Sequence, residues 1–484
     1  MTLPEPAEGL VLPLWRLGAT QLAAGYRDGR FTPLQALQAS LQRHAQCNPQ
    51  LNALVTLDEA GAARTAEEST ARWRAGRPLG LLDGVPVTIK DNLHVRGMRT
   101  TWGSRGLAGL VAGQDELAVA RLRAGGAVIL GKTNVPEFTL EGYTSNPVFG
   151  TTRNPWNPAL TPGGSSGGAV ASVAAGIAPL ALGTDGGGST RRPAAHCGLV
   201  GLKPSIGAIA RTGTLPSVLL DFEVVGTMAR TVADTQLLFD ALRGPDPADR
   251  ASLAAAQGAL ACAAPRQALR ILYVERFGEA PLDPQIAASV RASVQQLAAL
   301  GHQVQEGALP LDLEFFNEAW PQVGQIGLAA MFRAQPAWRE GASPKYREMA
   351  AQGEKLPATR LWQILAQVER LRQAAATLFA QIDVVVTPAT AALPWPADEA
   401  YPAQIDGRLV GPRGHAIYTG WVNAAGLPGL ALPCAPSREG LPIGLQLVGA
   451  YGADQRLLTL GAAYEKVAPW SGRWPVLSGE SPNG

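Results

Sequence analysis

The stretch GGSSGGAVASVAAGIAPLALGTDGGGSTRRPAAHCGLVG (163–201) decides the fold. It packs 11 glycines into 39 residues, where the chain's 55 glycines in 484 residues predict about four. The glycines are ordered rather than scattered. Gly164-Ser165-Ser166-Gly167 opens a small-residue helix, Ala169–Ala175, which leads into the apolar strand Pro179–Leu182. That strand ends in Gly183-Thr184-Asp185-Gly186-Gly187-Gly188-Ser189, and Pro193 suits the first turn of the next helix. A helix, a strand and a second helix in so few residues call for an α/β layout, with helices covering a buried sheet.

Neighbouring segments extend the pattern. Upstream, Val85–Ile89 and Ala127–Leu130 read as buried strands, with Asp115–Ala124 helical between them. The first sixty residues read as helical, with Thr32-Pro33 as an N-cap followed by an N1 proline and Leu34, Leu37 and Leu41 on a helix period. Downstream, Arg270–Val274 is a strand, followed by a helix over Pro284–Leu300 and a further short strand. Residues 305–355, rich in Trp and Phe, have no clean period and read as irregular. An amphipathic helix over Leu356–Ile382 runs into the strand Asp383–Thr387. Gly429–Pro433 and Ile443–Val448 read as strands and Asp454–Glu465 as a helix. With no repeat and no long linker, one large sheet is expected rather than several separate units.

Composition bounds the function. Hydrophobic residues at 46% supply a large core, and 17% charged residues is below the usual quarter. A net charge of +2 provides no field to recruit nucleic acid or an acidic membrane surface. No apolar run approaches the roughly 20 residues of a membrane helix. The opening MTLPEPAEGLVLPLW has no secretory pattern. Cys47, Cys197, Cys262 and Cys434 are unpaired in sequence, as in a cytoplasmic protein with reduced thiols.

Two short motifs mislead. Gly126–Thr133 matches the phosphate-loop pattern letter for letter, but Ala127–Leu130 is strand-like and Asn134-Val135-Pro136 interrupts any helix after Lys132. Gly163–Gly167 matches the nucleophile elbow of α/β-hydrolases, yet Asn157–Pro162 before it is loop chemistry instead of a strand. That elbow also needs a downstream histidine, and His196, His302 and His415 have no distinctive setting. An α/β-hydrolase-type esterase is therefore a minor alternative.

Ser189 stands at a strand-to-helix turn behind three glycines, whose unobstructed N–H groups can converge on one developing oxyanion. A serine nucleophile needs a base. Lys90 ends the apolar strand of GVPVTIKDN (84–92), where burial would favour the neutral amine. The competing reading is an ordinary lysine at the sheet edge, or one paired with Asp91 or Asp185.

These pieces together resemble the amidase signature family of Ser–cis-Ser–Lys hydrolases. The matching stretches are GVPVTIKDN (84–92), TPGGSSGGA (161–169) and GTDGGGSTRRPAAHCGLVGLKPS (183–205), supported by NVPEF (134–138), GTTRNPW (150–156) and NAAGLPGLALPCAPSREGLPIGLQLVG (423–449). The resemblance covers roughly residues 30 to 466. It implies a large mixed central β-sheet covered by helices on both faces, in one domain over 1–484. Within that domain it places an N-terminal helical segment at about 1–60, a Gly-rich catalytic core at about 75–235 and a variable substrate-side region at about 265–415. It further implies Ser189 as nucleophile, Ser165 as the cis-peptide serine that relays the proton, and Lys90 as base. Gly186, Gly187, Gly188 and Ser189 would form the oxyanion hole, with Thr139 facing substrate. Ser166, Asp185 and Arg191 would hold the loop. Gly186 stands where a larger residue is common, which leaves loop rigidity open.

The expected activity is cofactor-free and metal-free cleavage of a carbon–nitrogen bond in a small amide-like substrate. Anilides, carbamates (urethanes) and esters are further candidates, and Trp320, Phe332, Trp338 and Trp362 are candidate covers for the pocket. The alternative is one component of an amidotransferase, working with a partner. No helical C-terminal extension and no basic face favour the free-standing enzyme. Neither nucleic acid nor membrane is expected as a partner, and a homodimer is the default assembly.

Overall fold

The structure, a computed structural model, describes residues 13–261 and 267–477. Cys262 and the first twelve residues of the leader reading lie outside them. In chain order the strands are β1 (Leu54–Leu57), β2 (Pro86–Lys90), β3 (Val128–Thr133), β4 (Ser145–Asn146), β5 (Gly150–Thr151), β6 (Leu180–Asp185), β7 (Val200–Lys203) and β8 (Val224–Ala229). They continue with β9 (Arg270–Tyr273), β10 (Gln303–Glu306), β11 (Val384–Pro388), β12 (Gln404–Ile405), β13 (Arg408–Leu409), β14 (Gly429–Pro433) and β15 (Gly444–Gly449). Eleven of them form one sheet in the order β1-β3-β2-β6-β8-β7-β14-β15-β11-β9-β10, and the other four make two small ribbons. The sheet is mixed: β6, β2 and β3 run parallel, as do β11, β9 and β10, while the strands between the two groups pair antiparallel.

Strand alternation puts helices on both faces. Val384 and Val386 of β11 join one apolar cluster with Ile286, Val290 and Val294 of the helix Pro284–Ala299. Val385 between them joins a second cluster with Ile364, Val368 and Leu371 of the helix Ala358–Gln381. The same period orients β2. Val87 and Ile89 enter the first cluster, whereas Thr88 reaches Ser172 on the helix Gly167–Ala174, Oγ1 to Oγ at 3.0 Å. Lys90 shares the face of Thr88 and so projects toward the start of that helix.

Several expectations hold closely. Thr32 caps the helix Pro33–Leu51 and accepts the Gln35 N–H, with Pro33 at N1. β14 spans Gly429–Pro433 as read. Three strands of the large sheet, and the four of the small ribbons, were not foreseen. In the large sheet, β1 follows within three residues of a long helix, and β7 and β8 contain Gly201 and Gly226, residues that usually weaken a strand interior. Both glycines instead clear room for Thr190 at the start of the helix Arg191–Cys197. Residues 305–355 correct the irregular reading, because three helices, Glu314–Ala334, Pro336–Gly341 and Pro344–Glu354, occupy most of them. Phe316, Trp320 and Val323 follow the helix period there, which Pro321 inside the same helix obscures in the sequence.

The phosphate-loop look-alike is strand β3. Gly131 lies against β1, where a Cβ would collide with the Thr56 carbonyl oxygen, and Lys132 is fully buried with Asp91 at 3.1 Å. Replacing Gly131 by Ala should lower stability by about 1–3 kcal/mol. Urea unfolding measures this, and an unchanged midpoint would show that the strand pair tolerates a side chain there.

Candidate active site

Lys90 meets Ser165 where β2, β6 and the helix Gly167–Ala174 come together, and the backbone of Ser189 is tied to Ser166, the residue after Ser165. Lys90 is fully buried, Ser165 is 1% exposed and Ser189 is 6% exposed. Lys90 Nζ stands 2.8 Å from Ser165 Oγ, 3.0 Å from Thr184 Oγ1 and 3.2 Å from the Thr184 carbonyl. The Gly164–Ser165 peptide bond is cis. Gly164 also lies so close to Tyr143 that a Cβ would meet its backbone. Ser166 is the hinge between the two serines: its N–H donates to the Ser189 carbonyl at 3.2 Å, and its hydroxyl donates to the Thr184 carbonyl at 3.2 Å.

Neither carboxylate proposed as a partner for Lys90 is free to pair with it. Asp91 is taken by Lys132 and by Thr101, whose hydroxyl donates at 2.5 Å. Asp185 is taken by Arg191, at 2.8 Å from Nη2 and 3.0 Å from Nε. Burial therefore dominates at Lys90 and brings its ammonium down to about 7; the charges of Glu223 and Asp185 oppose the shift without reversing it. At Asp185 burial works the other way, raising the carboxyl, but Arg191 outweighs it and holds the group far below the usual range.

Asp185 and Arg191 organise the glycine loop. The Asp185 carboxylate accepts the N–H groups of Gly188 at 2.7 Å and Thr190 at 3.0 Å, and the Asn423 amide at 3.0 Å. Arg191 in turn donates to Asn423, Gln446 and the Thr419 carbonyl. This corrects one detail of the expected oxyanion hole, because the Gly188 N–H is already spent on Asp185. No hydrogen bond among the described residues engages the N–H groups of Gly186, Gly187 or Ser189. The loop is also tightly packed: a Cβ at Gly186 would lie 2.6 Å from Leu219 Cδ1, and one at Gly187 would lie 3.1 Å from Trp320.

Thr139 lines a cavity with Asn92, Trp102, Arg211, Leu219 and Glu223. Its hydroxyl donates to the Phe138 carbonyl at 2.6 Å and accepts the Trp102 indole N–H at 3.0 Å. Asn92 joins this cavity to the lysine, donating to the same Thr184 Oγ1 at 3.0 Å, while its own carbonyl oxygen has no partner among the described residues. Of the four candidate aromatic covers, Trp320 alone meets the loop. Phe332 and Trp338 pack with Phe138 and Leu328, and Trp362 is 75% exposed. The histidine required by the elbow reading is also absent from its role. Burial and the neighbouring Arg192 push His196 down to about 3 and His415 well below its ordinary value. The residues before Ser165 are loop.

Sequence reading missed Thr184, Asn423, Gln446 and Thr419. Thr184, Asn423 and Gln446 lay inside quoted motifs, but nothing local distinguished them from structural polar residues. Because Asp185 and Arg191 are fully buried as a pair, Asp185→Asn should cost about 3–5 kcal/mol. Thermal or urea unfolding tests this, and a loss below about 1 kcal/mol, as for an exposed pair, would contradict the organising role.

With this geometry in hand, comparison with known proteins is direct. The Amidase family model matches residues 35–458. The chain is 36% identical to the glutamyl-tRNA(Gln) amidotransferase A subunit of Roseiflexus castenholzii over 96% of this chain and 98% of that protein. It is 33% identical to an acylamidase of Rhodococcus erythropolis over 95% of this chain and 97% of that protein. Among solved structures, 6-aminohexanoate cyclic dimer hydrolase complexed with substrate superposes with a TM-score of 0.84 at 31% identity, covering 96% of this chain and 99% of that one. The chain belongs to the amidase family, the amidase signature enzymes that act on carbon–nitrogen bonds.

Proposed function

We propose that this protein hydrolyses small amides through an acyl-enzyme on Ser189, with Ser165 as proton relay and Lys90 as base. The observation that carries the reading is a fully buried lysine 2.8 Å from Ser165 Oγ with no carboxylate in salt-bridge reach among the described residues. As a free amine, Lys90 keeps a lone pair for the Ser165 proton while its two N–H bonds face Thr184. Ser189 passes its proton to Ser165 as its oxygen bonds to the substrate carbonyl carbon. The N–H groups of Gly186, Gly187 and Ser189 are the donors available to the oxyanion. The proton then returns through Ser165 to the departing nitrogen, and water releases the acyl group from Ser189. Anilides, carbamates and esters are open to the same steps, since each needs only a protonated leaving group.

The second reading, one component of an amidotransferase, is supported by the relative of that name at 36% identity. Purifying the chain alone separates the two, because hydrolysis of amides without any partner favours the free-standing enzyme. The proposal includes a cytoplasmic location, supported by Cys47, Cys197 and Cys434 being buried free thiols. No described helix is long and apolar enough to cross a membrane.

Ser189→Ala should lower turnover at least about a thousandfold and abolish covalent labelling by a serine-directed phosphonate. Retention of label would move the nucleophile elsewhere. The lysine gives a pH signature. The reactive amine is populated above about 7, so kcat/KM should rise with pH through that value and then level off. Lys90→Ala should remove this limb along with most of the rate, and a limb of unchanged midpoint would exclude Lys90 as its source.

A further inference from the structure

One row of residues separates the cavity beside the site from a larger one. The inner cavity measures about 170 Å³, and Ile206, Asp221 and Ala251 line both it and an outer cavity of about 620 Å³. The two follow one edge of the large sheet. Asp185 ends β6 opposite Val224, where β8 begins, and Lys203 ends β7 opposite Gly429, where β14 begins. β15 reaches the same edge, with Val448 opposite Gly429. Chain entering or leaving these strands supplies both spaces: Asn92 and Val224 line the inner one, Leu427 and Tyr451 the outer one.

Small side chains keep the outer cavity open. Six of its lining residues are alanines, and Phe379, Leu427 and Ile206 supply larger apolar surface. On the helix Ala358–Gln381, Leu371, Ala375 and Leu378 pack with Val385 and Val448 of the sheet. Ala376 and Ala380, one step round that helix, line the cavity instead and are exposed. Ala254 lines it from the helix Arg250–Ala261. The polar side chains there are already engaged. The Tyr451 hydroxyl donates to the Ile206 carbonyl at 2.9 Å, and Asp221 holds Arg372 at 3.0 Å. A charged occupant would find no unpaired side chain among the described lining residues, whereas an apolar one buries surface at no such cost.

The proposed proton path says which half of a substrate lies on this side. Ser165 returns the proton to the departing nitrogen, so that nitrogen leaves on the side of Lys90 and Ser165. Asn92 shares Thr184 Oγ1 with Lys90 and lines the inner cavity. Leu219, which closes the space beside Gly186, lines it too. A substituent on the nitrogen is thus led along the sheet edge, past Ile206, to the outer cavity.

We propose that the outer cavity is a subsite for an apolar substituent on the amine half of the substrate, so that the enzyme prefers N-alkyl and N-arylalkyl amides to primary amides. The proposal rests on the amide-hydrolase reading above. An apolar space of about 150 Å³ accepts a benzene ring, so the inner cavity admits a chain or a single ring. The outer one falls in the usual range of small-molecule pockets and holds the bulk.

Calorimetry on full-length Ser189→Ala protein tests this without turnover. The probes are acetamides with N-ethyl, N-butyl, N-hexyl and N-(4-phenylbutyl) groups, set against alkanamides of matched length that carry the chain on the acyl side. From N-ethyl to N-hexyl the Kd should fall at least about tenfold, since each buried methylene gives roughly a three- to fourfold gain. Ala376→Phe, and separately Ala254→Phe, should cancel most of the gain for the hexyl and phenylbutyl members. N-ethylacetamide should stay within about twofold, and the alkanamides should be indifferent to both changes. Both alanines are exposed, and circular dichroism and melting of each variant confirm the fold. A flat amine-side series, or a gain that survives both Phe changes, overturns the subsite. So does a loss as large or larger in the alkanamides, which would give the cavity to the acyl half. An equal loss for the N-ethyl and N-hexyl members also overturns it, marking a disturbance of the whole site. Because binding is read without turnover, failure here leaves the proposed hydrolysis standing, and failure of hydrolysis in the wild type leaves this result readable.

Discussion

The site depends on how its buried charges are sorted. Two carboxylates and three cations lie around the ends of β2, β3 and β6, and each carboxylate is claimed by a cation other than Lys90. Had Asp185 or Asp91 paired with Lys90, the ammonium would be stabilised and useless as a base. Pairing Asp91 with Lys132 and Asp185 with Arg191 leaves one amine desolvated beside a hydroxyl. The competing structural reading of Lys90 as an ion-paired residue fails for this reason, not because its strand is unusual.

The same pairing shapes the backbone. Asp185 spends part of its hydrogen-bonding capacity on the Gly188 and Thr190 N–H groups, which curls the chain after β6 and leaves the neighbouring N–H groups turned elsewhere. Glycine permits this curl, most plainly at Gly188, whose φ is +114°. The concern that Gly186 would loosen the loop is answered by Leu219 and Glu223, which fill the space a larger side chain would need. Rigidity here comes from neighbours rather than from the loop's own residues.

What the sequence disclosed divides along the same line. Local order was legible: the capped helix at Thr32, the strand carrying Lys90, and the two serine turns of 163–201 all follow from spacing and turn chemistry. The fold class followed from strands alternating with helices. Contacts between distant segments were not legible. Asn423, Gln446 and Thr419 complete the loop from more than 220 residues away, and a buried Asn or Gln reads like any other in isolation. Gly201 and Gly226 hid two central strands because their reason, a helix pressed against the sheet, lies outside the strands themselves. Pro321 concealed a helix in the same manner.

The reach of Arg191 also orders events in time. Its partners sit on the helix Gly420–Ala424 and on β15, so the turn that bears Ser189 is short-range in sequence but long-range in assembly. A nascent chain that has emerged through β8 already carries Lys90, Ser165 and Ser189, yet Arg191 and Asp185 still lack the amides that fix them. Long-range closures of this kind come late, since loop entropy must be overcome first. The turn around Ser189 is therefore fixed only after residues 419–446 have folded onto it, so its final shape is a product of assembly and not of its own segment.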